Sequence, residues 1–432
     1  MARLLIRGGR LIDPASRIAS VCDLVILGET IERVTKSARR TSDCQVIDAS
    51  GCLVIPGLID LHVHLREPGM PEAENVETGS KAAAAGGFTT VVCQPNTRPV
   101  LDNPETLEKL ISSIAKTARV RVLPAVALSK GLLGKQLTPI EDLVGLGARA
   151  LSDDGIGTPR IELLGQALMS GADNGLVVMV HCEDHTLSKQ GVLTAGPVAK
   201  QLRLPSIPAA AERKATELAI RAVGRYGGRL HIQHVSTAGA LAAVRRAKQA
   251  GLNVTCEVTP HHLMLTDKAV LASANRGQPD PNLKMNPPLR TDRDRRALLA
   301  GLADKTIDAI ATDHAPHTRA AKQKGFIKAP FGVTGLETCL ALTLQLVDQK
   351  VISLSRAVAL LSTNPARILS LGAGQLKAGA PADIAIVDPQ KLWRVNPARM
   401  KSRSRNTAFA GWEVRGQVKY TLVAGKVVYR AD

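Results

Sequence analysis

The chain's 432 residues exceed one average domain but suit a single barrel of about 250 residues with an appended unit. Apolar residues make up 45% and aromatics only 2%, so the core has to be built from Ala, Val, Leu and Ile, as in helices and buried parallel strands. No run of 18 apolar residues occurs and MARLLIRGGRLIDPASRIAS lacks an uninterrupted apolar stretch, which argues against a membrane span and a secretory leader.

The net charge is +18, and the densest basic stretches are RTDRDRR (290–296) and RVNPARMKSRSR (394–405). Neither interleaves aromatics as a single-strand binding platform does, so both are read as solvated surface, with no nucleic-acid partner. Seven widely spread cysteines, with no CxxC pair, read as reduced thiols of a cytoplasmic protein.

In chain order, residues 1–55 alternate short apolar runs with turns (LLIRGG, DLVILGE, QVIDASG, CLVIPG), the pattern of a small sheet. Residues 56–372 change rhythm, with short buried strands alternating with Ala/Leu-rich helical segments. Eight strands are predicted, at 58–64, 89–94, 120–127, 148–152, 176–181, 229–234, 253–258 and 306–312, with helices such as TGSKAAAAGG, ELAIRAVGRYG and GALAAVRRAKQAG between them. Eight strands close a (β/α)8 TIM-type barrel. After the Gly/Pro-punctuated GAGQLKAGAPAD, residues 373–432 return to short strands (DIAIVDP, QVKYTLVAG, KVVYRAD) and are expected to join the first 55 in one small β-sandwich domain.

In such barrels the functional side chains sit at the C-terminal ends of the strands. His62 and His64 close the first strand; alternate strand residues share a face, so both imidazoles point inward and Val63 points away. His181 ends the fifth strand, His234 the sixth, Asp153 and Asp154 follow the fourth and Asp313 the eighth. Nitrogen and carboxylate ligands suit zinc, and four histidines suit two zinc ions bridged by a carboxylate. Spacing alone does not separate Asp153 from Asp154 as the bridge. Such a site brings the pKa of water to about 7. Asp313 is then the general acid/base, ligating one metal and carrying the proton to a leaving group. His231, three residues before His234, falls on the opposite face, and His185, His261 and His262 lie beyond strand ends.

The ordered set DLHVHLREPG, QPNT, SDDG, HCED, HVST, TPHH, NPPLR, TDHAPH and APFGVTGLET, spread along the whole chain, resembles the aspartate-bridged (class I) dihydroorotases of the amidohydrolase superfamily. The resemblance implies reversible cyclisation of N-carbamoyl-L-aspartate to dihydroorotate in pyrimidine biosynthesis. It implies two zinc ions, one held by His62 and His64, the other by His181 and His234, with Asp154 bridging and Asp313 as ligand and general acid/base. It also implies substrate contacts from His64, Arg66, Asn96, Asn286 and His317 and from the backbone of Phe331 and Gly332. Arg66 fits this role chemically, because its planar fork takes a carboxylate in bidentate fashion.

The lysine that is carboxylated in hydantoinases is missing from ARALSDDGIG, and the bridge expected in its place is an aspartate of shorter reach, so one zinc is expected to be held more weakly. Other expectations are a homo-oligomer and association with aspartate transcarbamoylase. The competing readings are a hydantoinase or allantoinase, which the missing lysine and Arg66 disfavour, and a non-catalytic scaffold for the transcarbamoylase, which the complete ligand set disfavours.

Overall fold

The structure, a computed structural model, describes residues 3–39, 44–157 and 159–431. Eight parallel strands form the central sheet: β1 (Leu58–Val63), β2 (Phe88–Cys93), β3 (Arg121–Ala127), β4 (Ala150–Ser152), β5 (Val177–Val180), β6 (Leu230–Ile232), β7 (Val254–Val258) and β8 (Ala309–Ile310). Each falls within or against a predicted strand, the eighth shrinking to two residues. Neighbours pair in chain order from β1 to β8.

The ring closes just past β8, where the His64 N–H donates to His314 O at 2.8 Å. Beside it the buried carboxylate of Asp60, on β1, accepts from the Thr312 N–H at 3.1 Å and from the Thr312 hydroxyl at 2.6 Å. Closure is therefore made at the end of the barrel that carries the strand-end histidines.

Strands such as FTTVVC and VVMV are buried at every position, because helices cover one face and the barrel interior fills the other. The helices meet the sheet through small side chains. Examples are Ala82, Ala83 and Ala84 of α1 (Val76–Ala85), Ala211, Ala215, Ala219 and Ala222 of α2 (Ala209–Tyr226), and Ala240, Ala243 and Ala247 of α3 (Ala238–Gln249). Close approach through alanine lets a core almost free of aromatics pack closely.

Strands from both ends of the chain hydrogen-bond into a second, continuous eight-stranded sheet. The join is antiparallel, between Leu53–Pro56 and Ile384–Arg394. All seven cysteines are buried and none is in a disulfide, and among the described residues no helix is long and apolar enough to cross a membrane.

Candidate metal centre

The ends of β1, β5, β6 and β8 and the turn after β4 bring His62, His64, Asp154, His181, His234 and Asp313 to one buried place. Among the described residues, two triads present ligand atoms close enough to share an ion: His62, His64 and Asp154, and Asp154, His181 and His234. Asp154 belongs to both. Its Oδ1 lies 3.5 Å from His62 Nε2, 3.7 Å from His181 Nδ1 and 3.6 Å from His234 Nε2, while its Oδ2 lies 3.5 Å from His64 Nε2. Asp153 joins neither triad; burial pushes its carboxyl up to about 7.

For three of the rings, the nitrogen turned inward is decided by what holds the other. His62 Nδ1 lies 3.0 Å from Glu257 Oε1, His64 Nδ1 lies 2.9 Å from Asn96 Oδ1, and His181 Nε2 lies 2.9 Å from Glu183 Oε2. Carboxylate and amide oxygens only accept, so these nitrogens carry the proton in the neutral rings. The opposite nitrogen of each ring then faces Asp154 with a lone pair. His62 Nε2 is buried with no hydrogen-bond partner, and His181 Nδ1 and His234 Nε2 face each other at 2.9 Å. Nitrogen lone pairs converging on carboxylate oxygens fit divalent cations, zinc among them.

The charge balance points the same way. Burial would raise the Asp154 carboxyl, but His62, His234 and His64 hold it well below the usual carboxylate range. Burial would lower His62, yet Asp154, Glu257 and Asp313 pull it well above its usual value. The centre therefore draws in positive charge, which a cation supplies as well as protons do.

Asp313 Oδ1 stands 3.2 Å from His64 Nε2 and 3.6 Å from His62 Nε2. Burial would raise it, but the neighbouring His64, His62 and His234 rings hold it below the usual carboxylate range. Three of the site residues have left-handed backbone, Arg66 at φ 56°, His234 at φ 32° and Asp313 at φ 46°. Non-glycine residues in this region persist where the surroundings over-determine them. At His234 the restraint is visible: the following Ser236 and Thr237 N–H groups donate to the buried carboxylate of Glu212 at 2.8 and 3.0 Å, and Arg290 of NPPLR pairs with the same group at 3.2 Å.

Beside the centre, Arg66 is 8% exposed, and its Nε donates to Pro316 O at 3.1 Å while Nη2 lies 3.3 Å from His317 Nε2. Burial lowers the guanidinium to about 10, so it remains a cation at neutral pH. Burial and that cation hold His317 down at about 3, which leaves it neutral, with Nε2 at 2.6 Å from Phe331 O. The Gly332 N–H donates to Lys284 O at 3.0 Å. Asn96 sits between His64 and Asp154, donating to Asp154 Oδ2 at 2.9 Å, and Asn286 donates to Glu183 Oε2 at 2.8 Å.

Of the other histidines, His314 turns away from Asp313 toward Glu74 at 3.2 Å, His185 stays at the surface, and His261 and His262 are buried. His231 reaches the centre indirectly, with Nε2 3.1 Å from the second oxygen of Glu257. Glu257, Glu183 and Glu74 were missed in the sequence. The legible signal for Glu257 was a carboxylate inside the otherwise apolar strand NVTCEV.

Comparison with known proteins follows the same line. The Dihydro-orotase-like family matches residues 51–240. The dihydroorotase of Geobacter metallireducens is 44% identical over 427 residues, covering 99% of both chains. That of Pelotomaculum thermopropionicum is 44% identical, covering 99% of this chain and 98% of its own. Among solved structures, the L-hydantoinase from Arthrobacter aurescens superposes with a TM-score of 0.88 at 24% identity, over 100% of this chain and 96% of that one. A D-hydantoinase from Thermus sp. gives 0.84 at 26% identity, over 99% and 95%.

Proposed function

Because the chain belongs to the dihydroorotase family of cyclic amide hydrolases, we propose that it interconverts (S)-dihydroorotate plus water with N-carbamoyl-L-aspartate, a step of pyrimidine biosynthesis. The observation that carries this reading is the pairing of His64 and Arg66. Two residues apart at the end of β1, they set a cation-binding nitrogen beside a buried guanidinium fork.

In this reading Arg66 takes the substrate carboxylate in bidentate fashion, with neutral His317 beside it, and so fixes the ring relative to the centre. Asn96 and Asn286 and the Phe331–Gly332 backbone line the rest of the ring's surroundings. His62, His64, Asp154, His181, His234 and Asp313 would hold two zinc ions. Bound there, the ions would polarise the ring amide carbonyl and bring the pKa of a water to about 7. Asp313 accepts the proton as water adds to the carbonyl carbon. It then delivers that proton to the ring nitrogen as the carbon–nitrogen bond breaks, and reverses both transfers in the cyclising direction.

The test is an assay of the purified chain with dihydroorotate and N-carbamoyl-L-aspartate, hydantoin and allantoin in parallel, and metal content measured on the same sample. Turnover confined to hydantoin or allantoin would overturn the reading. Zinc held equally tightly at two sites through chelator dialysis would overturn the weaker second site.

A further inference from the structure

The basic stretch at the C-terminal side of the chain has an inner face. From Lys401 to Asn406, KSRSRN, exposure alternates: Lys401, Arg403 and Arg405 are exposed, and Ser402, Ser404 and Asn406 are buried. The segment is thus an extended strap with its cations outward and small polar side chains inward. The Ser402 hydroxyl donates to Glu74, and the Ser404 hydroxyl donates to Ala73 O at 2.6 Å.

The last inward residue reaches the substrate loops. Asn406 Oδ1 accepts from the His317 N–H at 3.0 Å, its Nδ2 donates to Gly332 O at 3.1 Å, and its own carbonyl accepts from the Thr334 N–H at 2.9 Å. His317 in turn holds Phe331 O. One buried amide therefore ties together the turn after β8 and the Phe331–Gly332 segment. These are the places where the dihydroorotase reading puts ring and carboxylate contacts, and the hydrogen bonds of Asn406 go to His317, Gly332 and Thr334, outside the six candidate metal-binding residues.

We propose that Asn406 is a positioning residue for substrate binding, holding His317 and Gly332 at the separation the substrate requires. The proposal rests on the dihydroorotase reading for the identity of the substrate. An apolar isostere leaves a buried N–H and a buried carbonyl without partners, and the loops relax to satisfy them elsewhere. The ring is then held less well, while the six residues of the centre stay in place.

Kinetics of the full, metal-loaded chain test this. Asn406→Leu is expected to raise KM for dihydroorotate about tenfold, with kcat within about threefold and bound metal unchanged. Ser404→Ala cuts the neighbouring anchor without touching either loop, and is expected to leave KM within about twofold. An unchanged KM in Asn406→Leu, an equal rise in Ser404→Ala, or loss of metal would overturn the proposal. If Asn406→Leu does not fold, Asn406→Asp is read by the same criteria, because it keeps the acceptor for His317 and loses the donor to Gly332. Should the unsubstituted chain fail to turn over dihydroorotate, the dihydroorotase reading falls on its own. The positioning role is then decided by amide exchange, where the His317 N–H must exchange faster in Asn406→Leu, and an unchanged rate overturns it.

Discussion

Glu257 Oε1 lies 3.0 Å from His62 Nδ1 across the barrel, and the second oxygen of the same carboxylate lies 3.1 Å from His231 Nε2. Both partners are fully buried, and they hold the Glu257 carboxyl down to about 2 although burial alone would raise it. In the neutral ring that cation binding requires, the charge on Glu257 thus keeps the proton of His62 on Nδ1 and leaves the lone pair on Nε2, which faces Asp154.

Replacing Glu257 by Gln removes that charge and forces a new proton arrangement on His62 and His231. Metal affinity is expected to fall about 10–100-fold. Competition with a chromogenic chelator measures it, and an affinity equal to that of the unsubstituted chain would refute the role given to Glu257.

Asp313→Ala separates proton transfer from metal retention. Four histidines and Asp154 remain, so the metals are expected to stay bound while kcat drops by about 10²–10⁴-fold. Elemental analysis and turnover on one preparation report both quantities, and turnover near that of the unsubstituted chain would exclude Asp313 as the proton carrier.

Arg66 uses its planar fork in two directions at once, with Nε on Pro316 O and Nη2 beside His317. Lysine offers a compact ammonium that cannot reproduce a bidentate contact. Arg66→Lys is expected to raise KM for dihydroorotate about 10–100-fold, in line with the loss of a charge-assisted hydrogen bond. An unaltered KM would count against carboxylate binding at Arg66.

Gly332 adopts φ 117°, and a Cβ there would stand 2.5 Å from Ala315 Cβ and 2.9 Å from Ala315 O. Gly332→Ala must strain the backbone and push apart the segments that carry Phe331 and His317. A stability loss of about 1–3 kcal/mol is expected, with a higher KM. Denaturant unfolding and steady-state kinetics check it, and a variant as stable as the unsubstituted chain would show that the two segments can move freely.

His262 is buried with Nδ1 2.7 Å from the Thr259 hydroxyl and Nε2 3.0 Å from Pro287 O, and burial lowers it to about 3. The unfolded chain protonates this ring near pH 6.5 and the folded chain only near 3. Between those values the unfolded state binds more protons, so the stability from neutral His262 is complete above about pH 6.5 and declines as pH falls toward 3. In His262→Gln the melting midpoint is expected to fall less steeply between about pH 6.5 and 4.5. Parallel slopes for the two proteins would remove His262 from the acid response.

Much of the barrel was legible in the chain because each strand carries its own signal. LIDLHVH, TTVVCQ and LVVMVH are short apolar runs set between helical segments, and burial on both faces is a local property of such strands. The strand-end histidines were legible for the same reason, since period-two alternation sends His62 and His64 to one face whatever the rest of the fold does. The terminal strands were visible singly, but their pairing into one sheet was only an expectation, because nothing in Leu53–Pro56 specifies Ile384–Arg394 as its neighbour.

By itself, then, the sequence determined the number of barrel strands, the residue types at their ends, and an arginine two positions from a strand-end histidine. Only the tertiary structure decided that Asp154, and not Asp153, lies in both triads, and which nitrogen each imidazole turns inward. It also brought in Glu257, 195 residues from His62, and Asn406, 89 residues from His317. The reason is physical: periodicity along a strand is set by its own backbone, whereas a side chain's partner on a distant strand exists only once the ring has closed and the C-terminal strap has packed against the loop after β8.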